Sequence, residues 1–428
     1  MARRFSPPKQ PPLTRDSSTL PIPNFANRSP NELGLPPGNE LASSASPLSI
    51  SDEAEKTDRP RRHLPTLPPE LISEILAYLP VRSLIRFRCV SRSVKTLISS
   101  DAFIKSHLRN TKASSTAKPN RVERLIVKSE KFGLISYSLG SLHNYRGTQA
   151  EIDLARPERF PVTTFVRLLG PCDGLLCARV GGSLDGFVVW NPSHEASTEL
   201  PMFRSGPWIP GSFMCFGFGY DGRLDDYKVV VLISSKNGDD SAAYQTEVQV
   251  CALKSRVWRR IDDFEGVPGD DVGKVAAGKL HWKASHVNDE PMYTIMSLDL
   301  ASETYREVMP PEFGEATGLW TLEALDDRLF VMSRNSIDFS SALWMMKEHG
   351  VADSWTKLFR VLHHGMYPGE WRPLMYISNS GEVIFRTRYC LLIYDIKENT
   401  VRFLTSKDWF DYDSYVYMET LVSSGLEN

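Results

Sequence analysis

The sequence predicts an α+β, two-part architecture: a small all-α module followed by an all-β, propeller-like domain of five or six blades. Three observations predict it. From Leu64 to about residue 110 the apolar residues recur at helical spacing. From Arg121 onward the period drops to two. One type of apolar strand then returns at intervals of 52, 52, 49 and 55 residues. A regular repeat of that length is what four-stranded blades around an axis give, and a sandwich rarely produces it.

At 428 residues the chain exceeds one compact domain. Its 41% hydrophobic and 24% charged residues are ordinary for a globular protein. Residues 1–62 hold 11 of the 29 prolines, many serines and few aromatics, so they are expected to form a flexible tail. Arg3, Arg4, Arg15 and Arg28 raise a transit peptide, which Glu32, Glu40, Asp52, Glu53 and Glu55 oppose. Arg59-Pro60-Arg61-Arg62 reads either as a nuclear address or as a solvated flank.

Fifty basic residues against 52 acidic ones leave a net charge of -2, which gives no field to steer nucleic acid or anionic membrane onto the protein. No apolar run reaches the ~18 residues of a membrane span, and no secretory signal core opens the chain. A soluble protein of the cytoplasm and/or nucleus, without a cofactor, is expected. The six cysteines lie mostly in apolar stretches and lack CxxC or histidine partners at ligand spacing, so they read as reduced, buried hydrophobes rather than a metal site.

The helical elements follow in order. Pro68-Pro69-Glu70 starts a first helix whose apolar face carries Leu71, Ile72, Ile75, Leu76 and Leu79, and Pro80 stops it. A second carries Val81, Leu84 and Ile85, and a third Val90, Val94, Leu97 and Ile98. Asp101 is expected to cap a fourth bearing Phe103, Ile104 and Leu108.

In the β region the recurring strand is expected at Leu175 to Val180, Tyr227 to Ser234, Lys279 to Ser285, Arg328 to Arg334 and Val383 to Arg388. Each is followed by a second strand and a downstream aromatic or apolar residue: Val189-Trp190-Asn191-Pro192, Val250 with Trp258, Leu298 with Tyr305, Trp344 with Trp355, and Ile393 with Phe403. These make five blades. A less regular unit from Val122 to Leu139 is expected to make a sixth, and Tyr415 to Val422 to close the ring against the first.

The segment from Leu67-Pro68 through Glu70-Leu71-Ile72, Glu74-Ile75-Leu76, Leu79-Pro80-Val81-Arg82-Ser83-Leu84 and Arg86-Phe87-Arg88-Cys89-Val90-Ser91-Arg92 resembles an F-box. Downstream, Cys172-Asp173-Gly174-Leu175-Leu176, Val189-Trp190-Asn191-Pro192, Phe216-Gly217-Phe218-Gly219-Tyr220-Asp221, Asp226-Tyr227-Lys228-Val229-Val230 and Gly278-Lys279-Leu280-His281-Trp282 resemble the plant F-box-associated family, the F-box/kelch-repeat type. The resemblance divides the chain into a tail at 1–62, an F-box at 64–110 and a kelch-like β-domain at 120–422.

What the resemblance implies is a non-catalytic receptor subunit of a ubiquitin ligase of the Skp-cullin-F-box type. The F-box docks on a Skp-type adaptor, the adaptor joins a cullin, and the β-domain holds a target protein that the sequence does not identify. By the same resemblance, adaptor contact falls to Leu67, Pro68, Leu71, Ile75, Leu76, Leu79, Pro80, Leu84 and Val90. One position departs from the pattern: Val94 stands where the third F-box helix usually carries tryptophan, which implies looser packing there. The alternative is a non-degradative interaction or scaffold protein with a weakened F-box.

Each motif has a rival. The apolar helical face could merely close an intrachain three-helix core, although about 45 residues stabilise themselves poorly. Gly217-x-Gly219-x-x-Gly222 matches a dinucleotide fingerprint, but a strand follows it instead of the required helix, so the glycines are expected to serve tight turns between strands. The pairs Asp225-Asp226, Asp239-Asp240, Asp262-Asp263, Asp270-Asp271 and Asp326-Asp327 are expected in turns. His363-His364 has no third ligand in sight. Trp208 and Trp371 stand in Gly- and Pro-rich loops and are the candidate target-binding anchors.

Overall fold

The computed structural model describes residues 67–113, 121–129, 133–140, 152–154, 165–181, 186–194, 197–203, 211–236, 244–285, 293–313, 319–335, 337–362, 374–378, 380–386, 390–405 and 414–425. The segment 1–62, Asp239-Asp240, His363-His364, Trp208 and Trp371 lie outside the described residues.

Among the described residues four helices come first: α1 (Pro69–Leu76), α2 (Val81–Phe87), α3 (Arg92–Ile98) and α4 (Asp101–Lys112). Pro68 and Pro80 hold extended backbone just before α1 and α2, and Pro69 occupies the first turn, where a backbone donor would have no partner. Ser91 caps α3 by accepting the Val94 amide at 3.2 Å, and Ser100 caps α4 by accepting the Phe103 amide at 3.3 Å. The cap expected at Asp101 therefore falls one residue earlier. Asp101 lies in the first turn instead, where its carboxylate faces the positive end of the helix. Val90, expected within the third helix, precedes it.

Six antiparallel sheets follow, each a blade. The recurring strand is the second strand of blades two to six: Leu175–Gly181, Asp226–Lys236, Lys279–Ser285, Arg328–Asn335 and Glu382–Arg386. Its follower is the third: Gly186–Trp190, Tyr244–Ala252, Tyr293–Asp299, Ser340–Met346 and Cys390–Asp395. Trp258, Tyr305, Trp355 and Phe403 lie in fourth strands.

The irregular unit is a full blade. Glu123–Ser129, Gly133–Ser138 and Ile152–Leu154 form its outer three strands, and Ser414–Met418 adds the inner one. The last pairs antiparallel with Glu123–Ser129 from Met418 opposite Glu123 to Ser414 opposite Val127. The ring is thus closed by chain segments from its two ends, and the inner edge of Glu123–Ser129 is paired.

The innermost strands, Phe165–Cys172, Phe213–Asp221, Leu319–Leu325 and Leu374–Ile377, meet their neighbours about the axis. In blade four two short strands, Val267–Pro268 and Lys274–Ala276, share that role. Gly217 and Gly219 belong to the body of Phe213–Asp221, not to turns. A Cβ on Gly217 would stand 2.7 Å from Leu280 Cδ1 and 2.8 Å from Trp282 Cζ2, and one on Gly219 would stand 2.7 Å from Leu300 Cδ1. These glycines let blade four close onto blade three, which corrects their reading as turn formers.

Among the paired aspartates, Asp225, Asp326 and Asp327 do sit in turns, with φ of 52°, 48° and 61°. Asp262 and Asp263 instead lie in the strand Trp258–Phe264, where Asp263 accepts from Gln245 and Arg260. Among the described residues no helix is long and apolar enough to cross a membrane, and no group of three or more His, Cys, Asp or Glu could hold a metal. Cys172, Cys177, Cys215 and Cys251 are buried free thiols, while Cys89 is exposed and Cys390 half-buried.

Candidate functional site

Helices of seven or eight residues do not hold by themselves in water, so a shared core must fix them. Leu76, Ala77, Val81, Leu84, Ile98 and Phe103 form it, with Ile72, Leu79, Val94 and Leu97 packed at its edge. Leu421, from the far end of the ring, belongs to the same cluster and is 1% exposed.

With that side of α1 turned inward, the other side faces out. Positions 71, 75 and 78 recur at helical spacing, and with Leu67 just before the helix they make an apolar row. Leu67 is 52% exposed, Leu71 45%, Ile75 53% and Tyr78 45%. Phe87 at the end of α2 and Val90 in the turn after it are also exposed. Of the positions assigned to adaptor contact, Leu67, Pro68, Leu71, Ile75 and Val90 lie on the surface, Leu79 and Pro80 are half-buried, and Leu76 and Leu84 lie inside the module. Val94 is half-buried.

α4 seats this module on the ring. Phe103 faces the helical core, while Ile104 and Leu108 pack against the apolar cluster of blades two and three. His107 and Thr111 are fully buried. The His107 Nε2–H donates to the Leu79 carbonyl at 3.0 Å, tying α4 to the α1–α2 turn. Burial holds this imidazole below its usual pKa, so it stays neutral. Two ion pairs reach turns of the ring: Lys105 with Asp225 at 2.6 Å, and Lys112 with Asp173.

The segment after the closing strand completes the seat. Glu419 Oε1 accepts from Arg82 of α2 at 3.3 Å and from Arg124 of blade one at 3.5 Å. The Thr420 hydroxyl donates to the Asp173 carbonyl at 2.7 Å. The Asn191 amide, with no exposure, donates to the carbonyls of Thr420 at 3.0 Å and Val422 at 2.8 Å. Leu421 enters the helical core and Val422 the core of blades two and three. Gly174, at φ 81°, lets the segment pass: a Cβ there would lie 2.7 Å from the Met418 carbonyl oxygen.

The helices therefore occupy the end of the ring where the first and second strands turn. Strand Phe213–Asp221 runs from the opposite end toward them, its far turn carrying Asp225. Trp208, in the connection leading into Phe213, is outside the described residues, as is Trp371 in the connection leading into Leu374–Ile377.

Residues 64–106 match the model of the F-box domain, and residues 125–422 match the model described as the F-box associated beta propeller domain. The chain belongs to the F-box-associated β-propeller family. Among its relatives, F-box/kelch-repeat protein At3g23880 of Arabidopsis thaliana is 28% identical over 83% of this chain and 95% of that protein. F-box protein CPR1 of the same plant is 26% identical over 80% of this chain and 85% of its own length. F-box domains in general bind Skp-type adaptors, and the exposed row on α1 lies within the residues that match the F-box model.

Two parts of the site escaped the sequence reading. Tyr78, three residues after Ile75 and seven after Leu71, extends the exposed row, and its helical spacing was the signal available. Glu419 and Leu421 gave no signal, because Arg82 and Glu419 are 337 positions apart and nothing local links them.

Proposed function

We propose that this F-box protein is the substrate-recognition subunit of a Skp-cullin-F-box ubiquitin ligase, non-catalytic in itself. Its F-box takes a Skp-type adaptor, the adaptor takes a cullin, and the propeller holds a target protein. The observation that carries this reading is the apolar row Leu67, Leu71, Ile75 and Tyr78, left exposed on a helix whose opposite side is committed to the module core. Leu76 and Leu84 serve the reading from beneath, by holding that row in place.

Adaptor docking is tested at the surface row, where a charge does not disturb the core. Ile75→Glu or Leu71→Glu should abolish co-purification with a Skp-type adaptor, since one central anchor at such an interface is worth about 2 kcal/mol or more. Undiminished recovery would remove the adaptor from the account. For the target, Trp208 and Trp371 remain the proposed anchors. Trp208→Ala and Trp371→Ala should lower target capture in a folded protein, and unchanged capture places the target elsewhere.

The second reading, a non-degradative interaction protein, draws on Val94, which stands half-buried at the edge of the helical core where the F-box pattern usually carries tryptophan. Val94→Trp should then tighten adaptor binding sharply. An unchanged affinity favours the first reading.

A further inference from the structure

We infer that Glu419–Val422 is a positioning element of the adaptor-docking face, so that α1–α3 take their docking arrangement only on a ring that has closed. This rests on the docking role proposed above, though the physical coupling can be tested apart from it.

Three independent contacts join this segment to both bodies. Leu421 is buried among Leu76, Val81, Leu84, Ile98 and Phe103, so a residue far downstream completes the core that turns Leu71 and Ile75 outward. Glu419, 3% exposed, joins Arg82 of α2 to Arg124 of blade one through one carboxylate oxygen. Thr420 and Val422 are held from the ring side by Asp173 and Asn191. The preceding residues Ser414–Met418 form the closing strand, and the Glu419 amide continues it by donating to the Val122 carbonyl at 2.9 Å. Closing the ring and delivering Leu421 to the helices are consecutive steps of one chain path.

The physical consequence is conditional docking. Helices this short lean on tertiary contacts for nearly all their stability, so removing one core member loosens them far more than it loosens six paired blades. An incomplete or open ring would present a frayed α1 and a poor adaptor surface. A chain that has not finished its propeller would then be a weak competitor for adaptor.

The test uses the full chain with Leu421→Ala or Glu419→Gln. Adaptor affinity is read by titration, and hydrogen exchange is followed separately in α1–α3 and in the blades. Leu421→Ala should weaken adaptor binding about tenfold or more, in line with the loss of a buried leucine from a small core. Exchange in α1–α3 should accelerate while blade amides keep their protection. Unchanged affinity with unchanged helix exchange overturns the inference. Leu71→Glu is the control, since it should lose adaptor without faster helix exchange. If the unaltered protein binds no adaptor, the docking role falls, and helix exchange in Leu421→Ala still decides whether the segment positions the helices. Should that variant lose blade protection as well, Glu419→Gln decides by the same two readings.

Discussion

Lys228 is a cation with 2% side-chain exposure, held between blades three and four by Asp221 at 2.7 Å, Glu303 at 2.8 Å and the Leu300 carbonyl at 2.6 Å. Burial alone would raise Asp221, but Lys228 and the amides of Leu224 and Arg223 hold its pKa below the usual carboxylate value. Lys228→Met would leave a fully buried carboxylate without its cation, a loss of about 3–5 kcal/mol. A melting temperature that does not fall would show that the pair contributes nothing. His281 is the matching case for a base. Burial first, and then His349 with its Nε2 at 2.8 Å, push its pKa down to about 3. Between its usual value near 6.5 and that depressed value the unfolded chain takes up a proton that the native state refuses. Stability is therefore whole above about pH 6.5 and shrinks as pH falls, at up to ~1.4 kcal/mol per pH unit for this one group. Denaturant melts at pH 7 and pH 5 should show the loss, and His281→Gln should shrink it; an equal loss in both would place the effect on other groups.

At the scale of the element, the second and third strands of each blade were legible, and of the innermost strands only the closing one, expected within Tyr415 to Val422, was. Lys279–Ser285 and Tyr293–Asp299 sit between polar turns and recur on a fixed spacing, which marks them without any tertiary knowledge. Phe213–Asp221 is buried over most of its length and interrupted by two glycines, so neither alternation nor propensity announces it. Gly217→Val tests why the glycine is there. Its side chain would press on Leu280 and Trp282 and should destabilise the protein by about 1–3 kcal/mol. Gly222→Ala, whose Cβ would meet only the Tyr220 ring at 3.8 Å, should be nearly neutral in the same melt. Equal effects would show that the loss of glycine's backbone freedom, not blade contact, sets the requirement. The fourth helix shows the converse limit: its apolar residues predicted it, but Ser100 and Asp101 are both good caps, and only the hydroxyl's bond to Phe103 chose between them.

Over the whole molecule, closure joins the first and last parts of the β-domain. Deleting Ser414–Met418 would strip the inner strand from blade one and expose the edge of Glu123–Ser129, so the protein should aggregate at micromolar concentration while retaining blade-like circular dichroism. A monomeric product would mean that the ring tolerates an open edge. The sequence by itself determined which stretches are helical, that strands take over downstream, and that those strands repeat as blades, because those properties follow from the period of apolar residues along the chain. Only the tertiary structure decided which apolar residues of α1 stay exposed, that Leu421 fills the helical core, and that Glu419 joins helix to ring. Periodicity marks a face as apolar without naming what covers it, and residues hundreds of positions apart become neighbours only when the ring shuts.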